Sequence, residues 1–213
     1  MPRLLRPAIA CLLLAAAGLA QAQVETFQLD PLHTRVAFRI DHAGFSKAIG
    51  TFSGITGELR LDPDDWSTAA VDVTVPLESL EIGDGKWRAK VLDGTFLDAG
   101  RQPAARFVST SVEPGEAGRA RVFGQLTLRG VSHEVALNVQ LNALKRHPLT
   151  LRRTAGFSAT GTLSRRAFGM DAWRTMVGDE VELMIELEAV RGRSDTPSQP
   201  QEPADADADQ EPR

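Results

Sequence analysis

A period of two constrains this chain more than any other feature. From Arg35 to His42 the residues alternate, with Val36, Phe38, Ile40 and His42 on one side and Arg35, Ala37, Arg39 and Asp41 on the other. Successive Cβ atoms of a β-strand point to opposite faces, so this pattern predicts a strand with one buried face. After a break containing Gly44 a second run follows, with Ile55, Gly57, Leu59 and Leu61 inward and Thr56, Glu58 and Arg60 outward. The phase slips between Phe52 and Ile55, beside Gly54. A glycine at a phase slip predicts a bulge or a sharp bend of the kind that closes a sheet into a barrel. The chain therefore opens with a long bent hairpin whose apolar face must be covered.

Six more stretches read as strands, five of them with the same clear period. Val71, Val73, Val75 and Leu77 form one set, and Pro76, which lacks an N–H, places that strand end at an edge or a bend. A strand of moderate pattern runs from Ala105 to Val112. Val122, Gly124, Leu126 and Leu128 alternate before the tight connection at Gly130, and Val135, Leu137, Val139 and Leu141 after it. Phe157, Ala159, Gly161 and Leu163 follow a weakly patterned piece from Arg146 to Arg153, and Val181, Leu183, Ile185 and Leu187 close the series. One helix is predicted over Asp84–Leu97, with Gly83-Asp84-Gly85 at its start, Trp87, Val91 and Leu92 at helical spacing, and Gly94 as a stop. About eight strands with short connections imply antiparallel neighbours, packed as a sandwich or as a closed barrel. Small residues on the inward face, such as Gly57, Gly124, Ala159 and Gly161, leave room for a ligand unless Phe and Trp side chains fill it.

The two ends read differently. Residues 1–22 have the form of a secretory signal: Arg3 and Arg6, an apolar run from Ala8 to Ala20, and an Ala20-Gln21-Ala22 cleavage site. The run is shorter than the ~20 residues a membrane span requires. Its removal takes away Cys11, the one cysteine, leaving no thiol nucleophile, disulfide or thiolate metal site. A bacterial periplasm fits such a chain. Residues 192–213 are rich in Pro, Asp, Glu, Gln and Ala without a large apolar side chain, and are expected to be a disordered, acidic tail. Setting aside the leader's two bases and the tail's two bases and six acids leaves 20 bases and 22 acids in residues 23–191. A nearly neutral domain gives no electrostatic reason to expect nucleic acid or an anionic membrane as partner.

Catalytic and cofactor motifs are sparse. There is no G-x-S-x-G elbow, and Gly83-Asp84-Gly85-Lys86 lacks the spacing of a phosphate loop. His33 and His42 lack a recognisable third ligand, so no metal is expected, and no cofactor. His42 shares the inward parity of its strand and is a candidate for contact with a polar ligand end at a barrel mouth. Arg166 is a second candidate, for pairing either with an anionic headgroup or with an acid such as Asp179.

A set of ordered blocks resembles the YceI-like family. They are Asp30-x-x-His33-Thr34-x-Val36-x-Phe38, His42, Gly50-x-Phe52, Glu78-Ser79-Leu80, Phe96-Leu97-Asp98, Pro103-x-x-x-Phe107, Gly124-x-Leu126-Thr127-Leu128-x-Gly130, Arg166-x-Phe168-Gly169 and Val177-Gly178-Asp179-x-Val181. Phe27, Thr34, Gln102 and Val91-Leu92 depart from the family pattern. The resemblance implies an all-β, eight-stranded antiparallel, lipocalin-like barrel with one main helix beside it. It also implies a periplasmic binding or carrier protein, not an enzyme, for polyisoprenoid lipids (an isoprenoid quinone or prenyl chain) or other long apolar lipids. The lipid tail would run along Val36, Phe38, Ile40, Val73, Leu126, Leu137, Phe157, Ala159, Gly161, Leu183 and Ile185, with His42 and Arg166 as headgroup candidates. The sequence is compatible with a homodimer. Two readings from other classes are an enzyme for a small substrate with His42 as general base, and a stress-related interaction module whose acidic tail recruits a partner.

Overall fold

The computed structural model describes residues 24–192. The expected leader, and the tail from residue 193 onward, lie outside the described residues. Gly192 is described, and its N–H donates to the Thr26 carbonyl at 3.0 Å.

The alternating stretches form ten antiparallel strands. In chain order they are β1 (Glu25–Leu29), β2 (Arg35–His42), β3 (Ser46–Phe52), β4 (Thr56–Leu61), β5 (Ala70–Pro76), β6 (Ala104–Pro114), β7 (Arg119–Leu128), β8 (Val131–Arg146), β9 (Arg153–Ser164) and β10 (Val177–Arg191). They pair in the order β1-β4-β5-β6-β7-β8-β9-β10-β2-β3, and β1 also pairs with β10, which closes the sheet. Both β1 and β2 lie along β10: Phe27–Leu29 against Ala189–Arg191, and Arg35–His42 against Val177–Glu186. They therefore share one position end to end, as do their partners β4 and β3. The ten segments fill eight positions around a closed antiparallel barrel, as the resemblance implied. The break between β3 and β4 falls where the phase slips, and Gly54 there has φ +64°, a left-handed conformation that glycine adopts without a Cβ penalty.

Several local expectations are corrected. β1 was hidden in the sequence by its shortness, yet Glu25, Phe27 and Leu29 alternate inward. The helix α1 spans only Gly85–Leu92. The Asp84 carboxylate caps it by accepting the Lys86 and Trp87 N–H groups, as the Gly-Asp-Gly start predicted. It stops before Gly94 because Asp93 turns out of the helix and its side chain accepts the Thr95 N–H at 2.7 Å. β8 and β9 run up to Arg146 and back from Arg153, and the weakly patterned piece between them is the turn that joins them, closed by the His147 N–H donating to the Arg152 carbonyl. In β6 a register shift between Ser109 and Ser111 reverses the parity, so Phe107 and Val112 face the same interior although five residues apart.

Two apolar clusters stop the ends of the barrel. At one end Phe27, Leu29, Ile55, Leu59, Leu61, Ala155, Phe157 and Ala189 pack together, with Trp66 edge-on to Phe157. Beside them Glu25 is held by Arg153 at 2.7 Å and Arg191 at 3.5 Å. At the other end α1 and the β9–β10 connection cover the opening, with Leu77, Leu80, Leu92, Leu97, Leu128, Phe168 and Met170 buried. Each such fully buried side chain contributes about 1.5–3 kcal/mol relative to exposure.

Candidate functional site: an apolar cavity inside the barrel

Between the two clusters the barrel is not filled. A cavity of about 490 Å³ runs through it, lined by inward side chains of the strands and by the underside of α1. That volume falls within the roughly 300–1,000 Å³ of ordinary small-molecule sites. Of the sequence candidates, Val36, Phe38, Ile40, Val73, Leu126, Leu137, Phe157, Ala159, Leu183 and Ile185 line it. The strand parity of the sequence also reaches Val71, Val122, Val139 and Val181, which line it too.

Gly161 does not line the cavity, although it has inward parity. Leu137, its cross-strand partner, lies over it, so that a Cβ at Gly161 would meet Leu137 Cδ2 at 2.7 Å. The same holds elsewhere on the wall. The Phe38 ring covers Gly50, and the Phe107 ring covers Gly124, each 2.4 Å from where a Cβ would stand. Gly50, Gly124 and Gly161 thus seat large neighbours against the wall, while at Gly57 a Cβ would meet the Asp72 carbonyl oxygen at 2.1 Å, so none of these glycines creates space. The space comes from short Ala and Val side chains in the middle of the barrel, among them Val71, Val73, Val122, Val139 and Ala159.

Polar groups on the cavity wall are few: Thr34, Asp41, His42, Lys90 and Arg165. His42 ends β2 and its imidazole lies on the indole of Trp87 from α1. Lys90, one turn along the helix, donates to Asp93 at 2.9 Å and Thr95 at 3.1 Å. Trp173, from the β9–β10 connection, lines the same opening.

Arg165, not Arg166, reaches the cavity. It is the largest fully buried side chain, and its guanidinium donates to the carbonyls of Gly178 at 2.7 Å, Val177 at 2.8 Å and Met170. The charge sits 5.9 Å above the Phe96 ring. Burial lowers the Arg165 pKa, and the positive charge of Arg166 adds to that, against the opposing pull of Asp179 and Asp171. Arg166 is absent from the cavity wall and lies 3.7 Å from Asp179. Burial raises the Asp179 carboxyl, but the Arg166 N–H, the Ser164 hydroxyl and the two arginine charges outweigh it and hold the group below the usual carboxylate value. Nothing in the sequence distinguishes two adjacent arginines; the turn that buries one exposes the other.

His33 is not part of this site. It belongs to the β1–β2 turn, where its Nδ1 lies 2.8 Å from Asp30. The fold brings Glu188 of β10 to the pair, and donor atoms of all three lie within 4.8 Å of one another. This cluster does not include His42, so the fold does not bring the two histidines to a shared site, and the Asp30 oxygens are already engaged by His33 and the Leu32 N–H.

The fold and the cavity define a class: closed antiparallel barrels with an apolar interior large enough for a ligand. The YceI-like domain model matches residues 27–189, and the chain belongs to that family. Protein YceI of Salmonella arizonae is 32% identical over 179 residues, which are 84% of this chain and 93% of that one. Among solved structures, Burkholderia cenocepacia BcnA superposes with a TM-score of 0.65 at 23% identity, covering 73% of this chain and 95% of its own. A polyisoprenoid binding domain from Saccharophagus degradans superposes at 0.55 with 13% identity, covering 80% of this chain and all of its own.

Proposed function

We propose that this chain is an exported binding or carrier protein that holds a polyisoprenoid-type or other long apolar lipid in the barrel and catalyses no reaction. The observation that carries the reading is the cavity itself: about 490 Å³, walled by aliphatic and aromatic side chains, with three of its few polar groups, Asp41, His42 and Lys90, at the α1 side. Such a wall recognises hydrocarbon by area and asks nothing of its chemistry. Each methylene-sized group taken from water is worth about 0.8 kcal/mol, so one five-carbon isoprene unit contributes up to about 4 kcal/mol before ordering costs. The likeness in fold to a polyisoprenoid binding domain supports the same ligand class.

An enzyme with His42 as general base is disfavoured by the surroundings of that side chain. Among the described residues no carboxylate orients its imidazole, which packs against an indole instead. A general base needs an orienting partner or a substrate proton within reach, and an aromatic neighbour supplies neither.

Native mass spectrometry of the exported protein tests the proposal. A hydrophobic adduct that is removed by organic extraction is the expected result. Its repeated absence, together with turnover of an added ester or isomerisable substrate, overturns the binding reading in favour of the enzyme.

A further inference from the structure

The opening of the cavity is ringed by large apolar side chains that point into solvent. Phe45 is 92% exposed, Trp173 56%, Trp87 47% and Met176 43%. They come from three separate segments: the β2–β3 turn, α1 and the β9–β10 connection. Those segments are tied to one another. The Ala43 N–H of the β2–β3 turn donates to the Met176 carbonyl at 2.7 Å, and His42, at the start of that turn, packs its ring against Trp87 of α1. Trp87 and Trp173 also line the cavity. Single exposed apolar residues are ordinary on a protein surface; four gathered on one rim are not.

We propose that this rim docks on the surface of a lipid bilayer and that the barrel exchanges its ligand through the contact. The inference rests on the lipid-binding reading above. Its argument is continuity: the apolar wall of the cavity passes through Trp87 and Trp173 into the apolar rim, interrupted at that side only by Asp41, His42 and Lys90. A hydrocarbon chain leaving the barrel therefore emerges among exposed rings. With the rim in water each methylene would be hydrated on the way; with the rim seated in a bilayer the chain moves from one apolar medium to another. Tryptophan suits this position, because its ring is apolar and its N–H is satisfied at the headgroup level. A bilayer is favoured over a protein partner by charge as well. Most ionic groups near the rim are paired internally, Arg39 and Lys47 with Glu182, Lys90 with Asp93, and Arg174 with Asp171, while Lys86, exposed beside Trp87, has no ion-pair partner among the described residues. Such a rim offers little unpaired charge to a complementary protein surface, and its contact is driven by apolar area.

The chain has three tryptophans, and the third, Trp66, sits at the opposite end of the barrel against Phe157. It serves as a built-in control. The full mature protein is mixed with phosphatidylcholine vesicles, with and without phosphatidylglycerol, some carrying bromine-labelled acyl chains. Flotation with the vesicles is expected, little changed by salt, with quenching of Trp87 and Trp173 in a Trp66→Phe background and none of Trp66 in a Trp87→Phe, Trp173→Phe background. The double variant Phe45→Ser, Met176→Ser, neither of whose positions lines the cavity, is expected to lose vesicle association at least tenfold while keeping its affinity for a detergent-solubilised prenyl probe. The cavity variant Ala159→Leu is expected to float like the unaltered chain while losing that affinity.

No flotation of the unaltered protein, flotation of the double variant at full strength, or flotation that needs phosphatidylglycerol and vanishes in salt overturns the rim proposal. Loss of flotation in Ala159→Leu alone also overturns it, by reducing vesicle association to extraction of lipid into the cavity. Normal flotation with rim quenching, but no prenyl binding in any variant, leaves the docking surface standing and rejects the lipid-carrier reading instead.

Discussion

The imidazole of His42 and the indole of Trp87 lie with their ring centroids 5.2 Å apart and their planes tilted by 44°. One ring ends strand β2 and the other starts helix α1, so the pair joins the barrel wall to the element that covers it. The contact is worth about 0.5–1.5 kcal/mol beyond the area it buries. Trp87→Ala removes it and widens the opening. The expected outcome is faster release of a bound fluorescent prenyl analogue, by roughly threefold to tenfold for that energy, with an unchanged circular dichroism spectrum. Stopped-flow displacement measures it, and an unaltered release rate would mean that ligand leaves elsewhere.

Ala159 stands on the inner wall of β9, among the short side chains that create the cavity. Ala159→Leu fills part of the space with about three carbon atoms. At about 0.8 kcal/mol per displaced methylene the ligand loses roughly 2.4 kcal/mol, or about fiftyfold in affinity. Titration of a prenyl probe into the folded variant checks this.

The inward glycines carry the opposite expectation. At Gly124 a Cβ would stand 2.4 Å from the Phe107 ring and 2.6 Å from the Val108 carbonyl oxygen, and a backbone oxygen has no room to withdraw. Gly124→Ala is expected to cost about 1–3 kcal/mol by overpacking. Gly156→Ala, where nothing lies within 4 Å, is the matching control and should leave the urea midpoint unchanged.

Arg165 and Arg166 separate a structural arginine from a surface one. Arg165→Met strands the carbonyls of Met170, Val177 and Gly178. The expected loss is about 3 kcal/mol or more, since each acceptor left without a donor costs about 1–3 kcal/mol and the two part-buried carbonyls lie at the low end. Arg166→Ala removes a half-exposed pair and is expected to cost less than about 1 kcal/mol. Its affinities for a prenyl pyrophosphate and for the matching prenol should both stay near those of the unaltered protein; a selective loss for the pyrophosphate would place Arg166 at the headgroup after all.

The Asp30–His33 pair gives the β1–β2 turn a pH dependence. Its hydrogen bond and the nearby charge of Asp30 raise the His33 pKa above 6.5. The contribution is therefore fully present below pH 6.5 and is lost as pH rises through the folded value. For Asp30, burial raises the carboxyl, but His33 and the Leu32 N–H outweigh it and lower the group below 3.8. That contribution is present above pH 3.8 and is lost as pH falls through the folded value. Stability of the unaltered protein relative to His33→Gln should thus be greatest between pH 3.8 and 6.5 and decline on either side. Urea midpoints across that range measure it, and a difference that grows above neutrality would contradict the pairing.

What the sequence determined by itself is the set of inward faces. Alternation is a local property, imposed by the backbone on successive residues, so Val36, Phe38, Ile40, Leu137, Leu183 and Ile185 were legible before any strand was paired. The helix start was legible as well, because an Asp between glycines caps through its own side chain two and three residues on. Which inward residues meet ligand and which meet each other was decided only by register. Gly161 has the right parity, but pairing sets Leu137 upon it, and a bulge in β6 returns Val112 to the interior against its parity. The same is true of the rim and of Arg165. A turn that buries one arginine and exposes the next, and three distant segments that bring Phe45, Trp87 and Trp173 to one opening, depend on contacts between residues far apart in the chain, where local periodicity carries no information.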